Sequence, residues 1–294
     1  MVRAMVLCAG LGTRLRPLTH ELPKPLVPVG DRSMLAHIVG RLRAAGISSV
    51  VVNVHHLPEE FARDIDGLAL KVTVVHEPVI RGTAGGIAGA RAQLGRGPVL
   101  AWNGDMLVDP PLARLLQAAG SGLCLAVAPR PVGEGTVGLG QGGRVVRLRG
   151  ERFGNEVQGG DYVGVAALGP RCLATLPEFG CLIGDWALPE LRGGGTVSAV
   201  EAAADFADIG DPKRYLEANL GWLRANGGAR QTWVGAEAEV GDAVTLEQAV
   251  VGAGAVIDGV GAVRRSVVWP GARASAPLSD CVVTTGGQVV RVAG

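Results

Sequence analysis

Arg3-Ala-Met-Val-Leu-Cys8 runs directly into Ala9-Gly-Leu-Gly-Thr-Arg-Leu-Arg-Pro-Leu-Thr19, and Pro23-Lys-Pro-Leu-Val-Pro-Val29 follows shortly after. An apolar strand that empties into glycines lets backbone N–H groups approach a polyphosphate without side-chain interference. Arg14 and Arg16 then supply forked, permanent positive charge. Lys24 sits between two prolines that stiffen its backbone and fix its aim. A Gly-x-Gly pair alone also occurs in ordinary tight turns. The information lies in the glycines, the arginines and Pro-Lys-Pro taken together.

Working outward, the first 225 or so residues alternate short apolar runs with helical patterns. Strands are expected over 4–8, 49–54, 71–76, 99–102, 122–128 and 162–168, and helices over 34–45, 59–64, 86–94, 111–119 and 212–225. Strands separated by helices predict an α/β fold with a mostly parallel sheet covered on both faces. In such sheets ligands bind outside the carboxyl ends of the strands. The glycine loop ends one strand and Asn103-Gly-Asp105 ends another, so both are expected at the same crevice.

Beyond Asn226-Gly-Gly228 the pattern changes. Aliphatic or aromatic residues recur every six positions at Val234, Val240 and Leu246, then after a one-residue slip at Val251, Ile257, Val263 and Trp269. Six-residue spacing is the mark of hexapeptide β-helix coils, and the stretch is long enough for about three coils that bury their apolar positions against one another. Only a limited interface to the preceding domain is expected.

Composition excludes several classes. A net charge of +1 gives no basic field for nucleic acid. No apolar run approaches the ~20 residues of a membrane span, and residues 1–8 read as a strand rather than a leader. Cys8, Cys124, Cys172, Cys181 and Cys281 are scattered, odd in number and lack a Cys-x-x-Cys, which suits reduced thiols in a cytoplasm. His55-His56 has no third ligand at metal-binding spacing and reads as a pair of loop histidines.

The run from Gly10 to Thr19, with the Pro-Lys-Pro after it, resembles the signature of the sugar-phosphate nucleotidyltransferases, which join a sugar 1-phosphate to a nucleoside triphosphate. The resemblance implies a Rossmann-like catalytic domain over 1–228 and a short left-handed parallel β-helix over 229–294. It also implies an in-line attack by a sugar-phosphate oxygen on the α-phosphorus, with pyrophosphate leaving and no protein nucleophile. The protein then positions two anions and neutralises the charge that builds on them.

The same resemblance implies roles. Arg14 serves the β- and γ-phosphates and Lys24 the α-phosphate. Leu7, Ala9, Gly10, Gly12, Thr13, Asn103 and Gly104 line the nucleotide site, and Gly82, Thr83 and Gly85 form its base loop ahead of a helix. Asp105 binds Mg²⁺, joined by Asp208 of Asp208-Ile-Gly-Asp-Pro-Lys-Arg-Tyr215, which is similar to the family's Asp-x-Gly-x-Pro-x-x-Tyr. Asp211 before Pro212 reads as a helix N-cap. Gly135, Tyr162, Gly164 and Asp185 fall where the family holds its sugar. The family's Glu-Lys-Pro has no lysine here, and Arg149 or Arg152 takes its place.

Within the family, Gly82-Thr-Ala-Gly85 and the β-helix most resemble mannose-1-phosphate guanylyltransferases, implying GTP and mannose 1-phosphate as substrates and GDP-mannose as product. The small Ala84-Gly85 pair leaves room for a purine. A uridylyltransferase is the second reading, through Gly85-Gly86 and the loose sugar site, and a thymidylyltransferase the third. A catalytically silent, nucleotide-sensing subunit would have lost Arg14, Lys24 or an aspartate, and none is lost. An acyltransferase coil would need a histidine beyond His76. The coil is therefore expected to be structural, or to join copies of the chain into a homo-oligomer.

Overall fold

The computed structural model describes residues 2–68 and 70–292. By contact density these group into two units. One comprises the residues up to Gly10 with Leu35–Phe206, the other Leu11–Met34 with the residues from Ala207 onward.

In the first unit the strand Arg3–Leu7 is central. Ala4, Met5 and Val6 are fully buried, as a strand covered on both faces requires. Ser49–Val54 and Val99–Asn103 flank it in parallel, with Ala4 opposite both Val50 and Leu100, and Lys71–His76 extends the sheet in parallel at the edge. The helix Met34–Ala44 buries Met34, Leu35, Ile38 and Leu42 along one stripe.

The other half of the sheet corrects the expectation of a mostly parallel one. Gln158–Leu168 runs antiparallel to Val99–Asn103, Leu123–Arg130 and Val137–Leu139. Val145–Leu148 and Glu151–Arg152 continue antiparallel beyond Val137–Leu139, while Val197–Glu201 pairs in parallel with Leu123–Arg130. The sheet is mixed because the connections across 131–157 are a few residues long. Parallel neighbours need crossovers of about a dozen residues or more. These short strands are broken by glycines and show no apolar run in the sequence. The segment expected as a loop before a helix at 86 is itself helical, over Gly82–Gly89, and Arg91–Leu94 forms a separate turn of helix.

The second unit carries three 3₁₀ turns, Thr13–Leu15, Leu18–His20 and Lys24–Leu26, and the helix Pro212–Asn226. Asp211 caps that helix by accepting from the Arg214 N–H at 2.9 Å, with Pro212 in the first position, as expected. After the helix the chain stacks on itself. Trp233 pairs in parallel with Val250 and Val250 with Val267, so each partner lies seventeen residues further on. The sequence slip accounts for that offset: two steps of six and one of five separate Val234 from Val251. The last layer closes with the antiparallel hairpin of Cys281–Val283 and Val289–Arg291.

The coil packs against the helix that precedes it. The helix Pro212–Asn226 packs on Val244–Val251, Val256–Val268 and the short strand Pro28–Val29. Contact density therefore joins the coil to residues 11–34, a grouping different in kind from the division at 228 suggested by the change of repeat. Among the described residues no helix is long and apolar enough to cross a membrane.

Candidate active site

In the first unit the strand end is fixed by buried polar groups. Cys8 N–H donates to Asn53 Oδ1 at 2.9 Å, and Asn53 Nδ2 donates to Glu77 Oε1 at 2.8 Å. Glu77 Oε2 accepts from the Arg81 N–H, and the Glu77 carbonyl accepts from His55 Nδ1. Asn53 and Glu77 are almost fully buried, so each polar atom needs its partner. Sequence reasoning missed both; the only signal was a polar residue inside, or just beyond, an apolar strand. His55 is held in this network, in keeping with a loop histidine. Burial first, then Asp105 and Asp64, pushes the Cys8 thiol up.

Gly10 is exposed, and a Cβ built on it meets nothing within 4 Å. Beside it, the Gly104 N–H donates to the Leu7 carbonyl at 2.9 Å. Buried Trp102 turns back to donate to the Met106 carbonyl at 2.9 Å. The turn bearing Asn103, Gly104 and Asp105 is thus tied to the end of the first strand, at the edge where Ala9 and Gly10 emerge. Gly164 has a left-handed backbone (φ +70°), and an added Cβ would lie 2.6 Å from Met106 Cγ and 3.0 Å from Asn103 Nδ2. Tyr162 is near enough for its hydroxyl to be pushed up by burial, Cys181 and Asp105.

Gly82, Thr83 and Gly85 are engaged by their own chain. The Ala84 and Gly85 N–H groups donate to the Gly180 carbonyl at 2.9 and 3.4 Å, and Thr83 Oγ1 accepts from the Leu182 N–H. A Cβ at Gly82 would lie 2.5 Å from the Gly180 carbonyl, and one at Gly85 2.4 Å from that of Glu178. The smallness of Ala84-Gly85, read as room for a purine, is taken up by the 178–180 segment.

The residues expected to hold the sugar divide. Arg149 donates to Cys181 Sγ at 3.5 Å, and Asp185 Oδ2 accepts from the Cys181 N–H at 2.7 Å, so Arg149 and Asp185 meet at one segment. Arg152 is exposed on the far short strand. The buried Arg147 guanidinium donates to both Glu156 oxygens and to the Glu134 and Gly135 carbonyls. That fixes Gly135 and holds the Glu156 carboxyl down to about 2.

In the second unit Gly12 adopts φ +62°, and an added Cβ would lie 2.8 Å from Thr19 Cγ2 and 3.2 Å from Lys24 Cβ. Thr19 donates to the Gly12 carbonyl at 2.9 Å. Leu15 and Leu18 are buried anchors, leaving Thr13, Arg14 and Arg16 exposed. A Cβ on Gly210 would stand 3.6 Å from one Arg14 guanidinium nitrogen and 3.4 Å from one of Arg214. Arg214 also donates to Asp208 Oδ2 at 2.8 Å. Arg14 and Asp208 thus share a neighbourhood with Arg214, a cation that sequence reasoning passed over although it follows Pro212-Lys in the motif. Tyr215 of the same motif donates to the Pro28 carbonyl at 2.5 Å, joining the two signature segments.

The first unit thus carries an open strand-end glycine beside an acidic turn, and the second carries paired arginines with a carboxylate. The model of the family described as "Nucleotidyl transferase" matches residues 3–145. The chain is 30% identical to "Probable mannose-1-phosphate guanylyltransferase 1" of Oryza sativa subsp. japonica over 312 aligned positions, 98% of this chain and 82% of that one. It is also 44% identical over 110 residues to "N-acetylmuramate alpha-1-phosphate uridylyltransferase" of Caulobacter vibrioides, 35% of this chain and 46% of that protein. Crystal structures of HddC from Yersinia pseudotuberculosis, one complexed with GMP-PN, share the fold at TM-score 0.64 and 21% identity, over 76% of this chain and all of theirs. The chain belongs to the nucleotidyl transferase family and is an enzyme of that class.

Proposed function

We propose that this enzyme joins a sugar 1-phosphate to a nucleoside triphosphate and releases pyrophosphate, with GTP and mannose 1-phosphate as the preferred pair. The observation that carries the reading is the open strand end at Gly10, beside the turn that holds Asp105. Backbone there meets a phosphate without a side chain in the way. Arg14 neutralises the β- and γ-phosphates and Lys24 the α-phosphate, charges that develop as pyrophosphate leaves. Arg149 serves as the sugar-phosphate cation, favoured over Arg152 by its approach to Cys181 in the segment of Asp185.

The donor set suits Mg²⁺. Asp105 and Asp208 offer only hard carboxylate oxygens, and one oxygen of Asp208 is committed to Arg214. A cation that draws most of its ligands from water and phosphate needs no more. Bound there, Mg²⁺ would supply charge neutralisation to the transferring phosphoryl group. The terminal coil is proposed as a left-handed β-helix that also joins copies of the chain, in a reducing cytoplasm.

Guanine as the base rests on the relatives named for it rather than on Ala84-Gly85; the uridylyltransferase relative makes UTP the second reading. Pyrophosphate release, from GTP, UTP, dTTP and ATP against several sugar 1-phosphates, tests the proposal. The expected result is release only with both substrates and Mg²⁺, fastest with GTP. A uridine or thymidine nucleotide favoured more than about tenfold, a gap of ~1.4 kcal/mol, overturns the guanylyl reading. No release from any pair overturns the transfer itself.

A further inference from the structure

We infer that the last hairpin of the chain belongs to the phosphate-binding apparatus, because its tip clamps Glu21 and so sets the position of the segment that carries Arg14 and Lys24. The inference rests on the proposed role of that segment in nucleotide binding. The Thr284 hydroxyl donates to Glu21 Oε1, and the Gly286 N–H donates to Glu21 Oε2 at 2.9 Å, so both carboxylate oxygens are held. Thr284 is fully buried, and its oxygen accepts from the Gln288 N–H at 3.2 Å, which turns the hydroxyl proton toward Glu21. A Cβ on Gly286 would lie 2.8 Å from Glu21 Oε1, so a side chain there would push the carboxylate out of its present place.

Glu21 lies between two parts of the phosphate loop. Two residues before it, Thr19 holds the Gly12 carbonyl; three residues after it stands Lys24. A second anchor holds the far end of the segment. Tyr215 donates to the Pro28 carbonyl at 2.5 Å and accepts from the Trp269 indole N–H at 2.9 Å, while the Gly30 N–H donates to Asn219 Oδ1 at 2.9 Å. Tyr215, Asn219 and Trp269 are fully buried.

Residues 11–34 form only short turns and a two-residue hairpin, with no long ladder to fix them. Ordering such a segment on a ligand costs conformational entropy, and anchors at 21 and 28–30 remove that cost before the ligand arrives. Glu21 and Thr284 are positioning residues in this account, acting through the backbone that carries Gly12, Arg14 and Lys24.

The test uses the full chain. Thr284→Val removes the hydroxyl at nearly constant volume, and Thr284→Ser restores it. Amide hydrogen exchange over 11–34 and the Kd for GTP with Mg²⁺ are read well below the unfolding temperature. Val250→Ala, deep in the coil, controls for loss of stability alone. Thr284→Val is expected to speed exchange in 13–26 and to weaken GTP binding about five- to tenfold, on the order of 1 kcal/mol. Thr284→Ser should match the wild type, and Val250→Ala should lower the Tm without moving Kd. Unchanged exchange in Thr284→Val, an unchanged Kd despite faster exchange, or an equal Kd rise in Val250→Ala each overturns the clamp. A wild-type chain that binds GTP but transfers nothing refutes the proposed reaction and leaves the clamp standing.

Discussion

Two glycine-bearing segments of this chain look alike in the sequence and differ in the structure. Ala9-Gly-Leu-Gly and Gly82-Thr-Ala-Gly-Gly both read as small-residue loops shaped for a ligand. At Gly10 an added Cβ would enter open space, although at Gly12 it would meet Thr19 Cγ2 at 2.8 Å. At Gly82, Gly85 and Gly86 alike it would strike protein atoms, at 2.5, 2.4 and 2.8 Å. A glycine marks either a space left for something else or a place where the chain has already closed on itself. Only the neighbours brought by the fold tell which. Here the 178–180 segment closes on 82–85, and Asn53 with Glu77 closes on Gly86.

The comparison yields tests of unequal size. The largest effect is expected on the open side, where Asp105→Asn removes the carboxylate proposed to hold Mg²⁺. Turnover should fall about 10²–10³-fold, roughly 2.7–4 kcal/mol on the barrier, with the Tm little changed. Activity above half of wild type at saturating Mg²⁺ would remove Asp105 from the metal site.

On the closed side the effect is expected in stability. Asn53→Ala leaves the Cys8 N–H and Glu77 Oε1 without their partner in a buried setting, at a cost of about 1–3 kcal/mol. Chemical denaturation reads it directly; a loss under about 0.5 kcal/mol, the scale of an ordinary surface change, would mean the network does not support the strand end.

A smaller, pH-dependent effect should come from the pair Arg147–Glu156. The ion pair holds the Glu156 carboxyl down to about 2 in the folded chain, below its ordinary 4.5. A depressed carboxyl contributes stability that is present above the unfolded pKa and is lost as pH falls through the folded one. Unfolding monitored from pH 5 to 2 should show that loss, and Glu156→Gln should flatten its share of the slope. An identical slope in the variant would show that this pair does not set acid stability.

Much of the fold was legible because its signals are local. The strands Ser49–Val54 and Lys71–His76 have the bounds expected from their apolar runs, and the Pro212–Asn226 helix begins at its Asp-Pro cap. The seventeen-residue stacking follows from the spaced aliphatics and their slip. What failed was non-local. Gln158–Leu168 serves different partners along its two edges, with a register break between Tyr162 and Ala166, so no single alternation describes it. In the site, Arg14 and Asp208 each stand out through their own motif, but Asn53 and Glu77 act through partners distant in sequence, and Arg214 meets Asp208 within the motif without itself being singled out. The clamp on Glu21 spans more than 260 positions, beyond any spacing rule.

The most direct measurement of the difference between the two glycine segments is a paired substitution, Gly10→Ala and Gly85→Ala, each read by unfolding free energy and by Kd for the nucleoside triphosphate. Gly10→Ala should keep stability within about 0.5 kcal/mol while weakening nucleotide binding about tenfold, ~1.4 kcal/mol. Gly85→Ala should lose about 1–3 kcal/mol of stability from overpacking against the Glu178 carbonyl. The opposite pattern, a destabilised Gly10→Ala with native affinity beside a stable Gly85→Ala that no longer binds nucleotide, would contradict the account.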